Sequence, residues 1–285
     1  SVDLLAAING SPTQGFGYTT LMTNNGKMVN RGVEITLSGE IIRQKDFSWN
    51  ASLLYAFNRN KVKHISVQPS LWDSRISMPT SYPMVGKPLY GIYAYKWAGL
   101  NENGDPQVYD AENNVTSGPA RDYHALVYCG TTVPIHNASL TNVLRYKGFE
   151  FSAMLILDAG HKLRSSNIPS INMSNGRITS TAKGIVDRWT QPGDVTDVPR
   201  LLFSNDTENF NTHRTELYRY SDLFVYDASN IRLSNISLAY RVPAHWCKKI
   251  SLSGARLQFN VENVATFAFD SKANYDLGGK VKPNY

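Results

Sequence analysis

The chain has 285 residues, 42% of them hydrophobic, and 29 Lys and Arg against 23 Asp and Glu give it a formal charge of +6. No apolar run approaches the roughly 18 residues that a membrane-spanning helix needs, which excludes helical spans. No dense basic run is interleaved with aromatics, so composition argues against nucleic-acid binding.

In chain order, Ser1-Val2-Asp3-Leu4-Leu5-Ala6-Ala7 lacks the basic start and long apolar core of a signal peptide, so the expectation is a removed leader or a start upstream of Ser1. Gly32 to Ser38 then alternates Val33, Ile35 and Leu37 against Glu34, Thr36 and Ser38. After the polar tetrad Arg43-Gln44-Lys45-Asp46, a second strand puts Phe47, Trp49, Ala51, Leu53, Tyr55 and Phe57 on one face. Its other face carries Ser48, Asn50 and Ser52. Bulky rings at both ends of an apolar face are the mark of a strand that crosses hydrocarbon between two headgroup layers.

The same pattern recurs twice. Leu140, Asn142, Leu144 and Tyr146 lead through Lys147-Gly148 into Phe149, Phe151, Ala153, Leu155 and Leu157, and Ile231–Tyr240 pairs with Ala255, Leu257, Phe259 and Val261. Three hairpins of one design predict one continuous antiparallel sheet, all-β, a transmembrane β-barrel segment. On this reading Trp49, Tyr55, Phe149 and Tyr240 anchor lipid girdles, while Glu34, Ser48, Asn50, Glu150, Arg256, Gln258 and Asn260 face the lumen.

The connections are asymmetric. The turns after residues 42 and 146 are tight and the one near 242–254 is modest, whereas residues 58–135, 160–222 and 268–285 are long and polar. Barrels carry short periplasmic turns and long outer loops, so the long segments are extracellular. Within 58–135, Tyr90–Trp97 and Gln107-Val108-Tyr109 read as a hairpin about the turn 101–106.

The order and spacing of several motifs carry a resemblance. They are Asn30-Arg31-Gly32-Val33-Glu34-Ile35, Asp46-Phe47-Ser48-Trp49 running to Asn58-Arg59-Asn60-Lys61-Val62, Val85-Gly86-Lys87-Pro88, Gly99-Leu100-Asn101 to Gly104-Asp105-Pro106, Arg188-Trp189-Thr190-Gln191-Pro192-Gly193-Asp194, and Ala228-Ser229-Asn230-Ile231-Arg232-Leu233-Ser234-Asn235-Ile236. Over nearly its whole length the chain resembles the C-terminal part of the SusC/RagA-like TonB-dependent outer-membrane transporters. The resemblance implies a barrel of about 22 strands, with residues 1–285 its C-terminal portion. The plug and the N-terminal strands then precede Ser1, and a final strand follows Tyr285. It also implies residence in the cell outer membrane, a SusD-like surface lipoprotein, a TonB complex acting through the plug, and import of glycans, oligosaccharides or peptides.

No catalytic constellation stands out, and no cofactor or metal is expected: the histidines at 64, 124, 136, 161, 213 and 245 lack ligand spacing, and no nucleophile elbow or phosphate loop occurs. Cys129 and Cys247 fall in segments read as loop and turn and form no zinc set. Asp194 and Asp197 resemble a glycosidase carboxylate pair but sit beside Gly193, where turn formation is the ordinary role, and Asp73, Asp105 and Asp206 are read likewise. Trp72, Tyr82, Trp189 and Tyr218, in the outward loops, are the candidate ligand contacts, because sugar rings stack on aromatic faces. A secreted soluble all-β carbohydrate-binding module is the alternative, and a small complete barrel a weaker one. Between membrane and module, what covers Phe47, Trp49, Leu53 and Tyr55 decides.

Overall fold

The computed structural model describes residues 2–9, 20–66, 74–118, 122–174, 177–178, 182–203, 212–249, 251–273 and 276–277. Its principal sheet has seven strands that neighbour one another in chain order: β1 (Val2–Asn9), β2 (Thr20–Arg43), β3 (Phe47–Ile65), β4 (His136–Tyr146), β5 (Phe149–Ala159), β6 (Asn230–Arg241) and β7 (Arg256–Ala268). Residues 31–59, 134–161 and 227–285 form one compact unit; residues 1–30, 60–133 and 162–226 form a second.

In the first unit, cross-strand register joins residues of like chemistry. Phe47 stands opposite Tyr146, Trp49 opposite Leu144 and Leu53 opposite Leu140. Phe151 lies between Leu144 and Leu238, and Leu238 faces Phe259. Side chains alternate with a period of two, so these pairs make one apolar face across five strands, β3 to β7. That face stands open: Leu257 is 68% exposed, Phe259 69% and Leu238 47%. A soluble sandwich would bury such residues beneath a second sheet; here they form the surface a bilayer covers.

Aromatics mark both ends of the face. At the turn end Phe149 and Tyr240 have ring centroids 4.5 Å apart, and Trp49 Nε1 donates to Asn142 Oδ1 at 3.1 Å, satisfying the amide that interrupts the apolar row. At the loop end Tyr55 and Phe57 meet His136, with Tyr55 Oη and His136 Nδ1 2.8 Å apart. The opposite face is polar and internally bonded. Asn137 Nδ2 donates to Asp158 at 2.6 Å, and Gln258 Nε2 donates to Ser237 Oγ and to Asn260 Oδ1.

Lys147, at φ 51°, and Gly148 make the two-residue turn between β4 and β5, the geometry whose twist matches a hairpin. The register slips once in β5–β6 and once in β6–β7, around Ser234 and around Asn263, which has φ 52°.

Several expectations are corrected. β3 runs to Ile65 rather than ending near residue 57. β1 is a strand although Val2–Asn9 is apolar at both parities and so carries no alternation. The run 90–97 is not one strand: Gly91–Tyr95 pairs with Leu126–Thr131, and Trp97–Leu100 separately pairs with Pro106–Tyr109. Cys129 therefore lies in a strand, and Cys247 lies buried in the helix Ala244–Lys249; both thiols are free.

The second unit has its own core of Tyr93, Tyr95, Val108, Ala125, Leu126 and Leu217, flanked by Trp97 and Tyr128. No described helix is long and apolar enough to cross a membrane.

Candidate functional site

One concavity of the loop unit grows out of a single turn. Asn101 Oδ1 accepts the amides of Asn103 at 3.0 Å and Asp105 at 2.9 Å, which coils residues 101–105 tightly. Gly104 closes the coil at φ +74°, and a Cβ there would collide with the Trp189 ring. Only glycine satisfies both demands. Trp189 consequently lies with part of its ring against the turn backbone.

Next in sequence is Asp105, which fastens the turn. Its carboxylate accepts from Arg200 Nε and a terminal Arg200 nitrogen at 3.1 and 2.9 Å, and from Arg214 Nε at 2.7 Å. Arg214, whose side chain is only 4% exposed, also donates to the carbonyls of Ile171 and Arg200. The helix Thr212–Arg219 positions it: Leu217 and Tyr218, also on this helix, are buried in the core. A buried guanidinium demands such saturation, because an unpaired one is costly. Asp105 is thus the centre of an ion-pair network and not a solvated turn acid.

On the other side of Trp189, Asp194 Oδ2 accepts from the Thr190 amide at 2.8 Å, the Thr190 hydroxyl at 2.8 Å and the Gln191 amide at 3.0 Å. The Thr190 amide, above all, holds the Asp194 carboxyl below the usual carboxylate range. Asp197 instead accepts from Trp97 Nε1 at 2.8 Å. The two carboxylates thus hold separate loop bonds, Asp194 within its own turn and Asp197 to the Trp97 indole. Asp73 and Asp206 lie outside the described residues.

Leu100, Asn101, Glu102, Asn103, Trp189 and the segment Pro192–Thr196 line a cleft of about 660 Å³. It offers an aromatic surface, two amides, a hydroxyl and one uncommitted carboxylate, with no Lys or Arg in its wall. Such a wall suits a neutral or cationic solute and repels an anionic one. Among the described residues no group of His, Cys, Asp and Glu is arranged to hold a metal.

The other predicted contacts fare differently. Tyr218 is 2% exposed, packed edge-on against Phe224 at 4.9 Å and tilted against Trp97 at 5.9 Å; burial pushes its hydroxyl pKa up. Its ring is part of the core and has no open face for a solute. Tyr82 is half-buried, its amide donating to Met78 O at 3.1 Å, and Trp72 lies outside the described residues. The four are therefore not shown as one surface; Trp189 alone lines the cleft.

No protein-family model matches the chain. TonB-dependent receptor P3 of Formosa agariphila is 25% identical over 280 residues, covering 91% of this chain and 26% of that protein. TonB-dependent receptor SusC of Bacteroides thetaiotaomicron is 22% identical over 263 residues, 87% of this chain and 24% of its own. Among solved structures, the RagAB peptide transporter superimposes with a TM-score of 0.70 at 20% identity, over 93% of this chain and 28% of that one. The chain is SusC/RagA-like. It spans about a quarter of the length of the curated relatives it matches. Strand order and the open apolar face agree with that likeness, so the SusC/RagA-like sheet is a segment of a transmembrane β-barrel in the cell outer membrane.

Proposed function

We propose that the chain is the C-terminal portion of the barrel of a TonB-dependent importer, with a SusD-like lipoprotein as its surface partner and a TonB complex as its motor. The plug, the earlier strands and a final strand lie outside residues 1–285 on this reading. The sheet carries it, with lipid-facing residues such as Leu257 and Phe259 on one side and a bonded polar lining on the other, in a chain that matches TonB-dependent receptors over nine-tenths of its length.

Glycans or oligosaccharides are the favoured solutes, and Trp189 the favoured contact, because the cleft offers a ring face beside amides and no cation. Tyr82, and Trp72 beyond the described residues, complete the proposed contact set. The similarity to a peptide transporter supports the alternative cargo, an oligopeptide, which the same uncharged-to-acidic wall would accept when basic. No step of the proposal is enzymatic.

The test is uptake by cells carrying the full-length protein. A deletion strain should lose growth on one solute class, oligosaccharide or peptide mixtures, and deletion of TonB should abolish the same uptake. Trp189→Ala should weaken solute binding by roughly five- to tenfold, the scale of one aromatic contact. Unchanged uptake of both classes in the deletion strain would defeat the importer reading.

A further inference from the structure

The turns that close β2–β3, β4–β5 and β6–β7 belong to one unit and are bonded side by side. The Lys147 amide donates to Asp46 O at 2.8 Å, the Arg241 amide to Gly148 O at 2.8 Å and the Val242 amide to Ala255 O at 3.0 Å. The rim so formed carries Lys45, Lys147, Lys248 and Lys249, and Asp46 is the one acid among residues 44–46, 147–148 and 242–255. All four lysines are exposed, and none is ion-paired to a described residue. Arg43, just before the first turn, is matched by Glu40 at 3.0 Å. At the loop end of the same unit, Arg59, Arg232 and Lys272 are balanced by Asp158, Asp227 and Asp270. The excess of positive charge is therefore a property of the turn rim.

Where these side chains reach decides what they meet. Lys147 stands between Tyr146 and Phe149, both exposed rings of the outer girdle, and its ammonium lies over the Tyr146 ring, 5.3 Å from the centroid. That contact holds the charge on the lipid side of the sheet and not over the lumen. In the β6–β7 connection, buried Cys247 seats the helix Ala244–Lys249 and leaves Trp246 exposed beside Lys248 and Lys249, with Leu252 exposed just after them. Open rings beside free ammonium groups suit one boundary, the phosphate layer above hydrocarbon. Tryptophan settles at headgroup level, and a lysine stem crosses apolar surface to put its charge there.

We propose that this rim binds the anionic phospholipid headgroups of the periplasmic leaflet, with Lys147, Lys248 and Lys249 on the phosphates and Trp246 at the level just beneath them. The proposal rests on the transporter reading above, which puts the short turns on the periplasmic side. Two observations commit it to lipid. The rim continues the open apolar face without a break, since Leu257 stands opposite Tyr240 and Tyr240 opposite Phe149 at its edge. Its charge is also opposite to that of an anionic leaflet, which draws basic residues placed close to its surface. A soluble acidic protein would have to seat itself on the same ring-lined edge that the bilayer covers.

The experiment places the full-length protein in phosphatidylcholine nanodiscs that contain a minor share of brominated lipid, either phosphatidylglycerol or phosphatidylcholine. Quenching of Trp246 is read by difference from Trp246→Phe. Brominated phosphatidylglycerol should quench it more strongly than brominated phosphatidylcholine, by roughly fivefold, the scale set by a few lysines at an anionic surface. Lys147→Gln combined with Lys248→Gln and Lys249→Gln should bring the two lipids level. Molar salt should at least halve the preference of the unmodified protein, a measurement that needs no variant to fold. Equal quenching by the two lipids overturns the proposal, as does a preference that salt or the triple variant leaves intact. Absence of quenching by either lipid overturns it too, and is the result expected if the rim seats a soluble acidic protein. Failure of the transporter reading looks different: the unmodified protein is then missing from the outer-membrane fraction before any reconstitution.

Discussion

Asp105 ties the turn 101–105 to two distant arginines, Arg200 and the buried Arg214. Asp105→Asn keeps the shape and removes the charge, so Arg214 is left buried without a counter-ion. The expected cost is about 3 kcal/mol or more, the usual scale for breaking a buried pair. Hydrogen exchange on the full-length protein should show it as loss of protection at residues 101–109, 200–203 and 212–219, with the barrel strands unaffected. Asp194 makes a separate prediction about pH. Its folded-state pKa is depressed, so its contribution is fully present above the unfolded carboxyl value and is lost as pH falls through the lower, folded one. The Trp189 loop should therefore stay closed through the ordinary carboxylate range near about pH 4 and open only below it. Fluorescence of Trp189, isolated by comparison with Trp189→Phe, reads this directly; a midpoint at or above the ordinary value contradicts it. A third case is Cys129, whose thiol burial pushes up to about 11, so it should alkylate slowly at mild alkaline pH.

At the scale of the element, the two faces of one strand should answer differently to the same charge. Ile236 faces Ala153 and Val261 on the outer side, and its neighbour Ser237 faces Ser152 and Asn260 on the inner. Ile236→Arg should cost about 2–4 kcal/mol in a bilayer, while Ser237→Arg should cost well under half of that. Urea titration of the full-length protein in vesicles compares the two, and equal penalties would mean that the faces are wrongly assigned. The strands β2 to β7 were legible where the period of two and the girdle aromatics are written, as at Phe47, Trp49, Tyr55 and Phe57, but not in Thr20–Asn30 of β2 or Asn58–Ile65 of β3, where the strands run on beyond that pattern. The loop unit was less legible. Tyr90–Trp97 reads as one run, yet Lys96 separates two strands that belong to different small sheets. The site was least legible of all: Asp105 looks like any turn acid beside Gly104, and its partners lie 95 and 109 positions away. Tyr218 looks like an exposed loop aromatic until the helix Thr212–Arg219 carries it into the core.

The whole molecule presents a lipid-seeking face and, at β1 and β7, two sheet edges unpaired among the described residues. Residues 1–285 expressed alone should therefore sediment as aggregate in aqueous buffer and require detergent to disperse, a result that sedimentation velocity checks. A monodisperse, cooperatively unfolding species without detergent would count against the membrane assignment. The loop unit adds a constraint of timing. Besides residues 1–30 it is spliced from two excursions, residues 60–133 and 162–226, with the β4–β5 hairpin synthesised between them. Asp105 leaves the ribosome in the first excursion and waits for Arg200 and Arg214 in the second. A chain folded only as far as β5 thus carries Tyr93, Tyr95, Val108, Ala125 and Leu126 without Leu217 to complete their core, and an acid without its counter-ions.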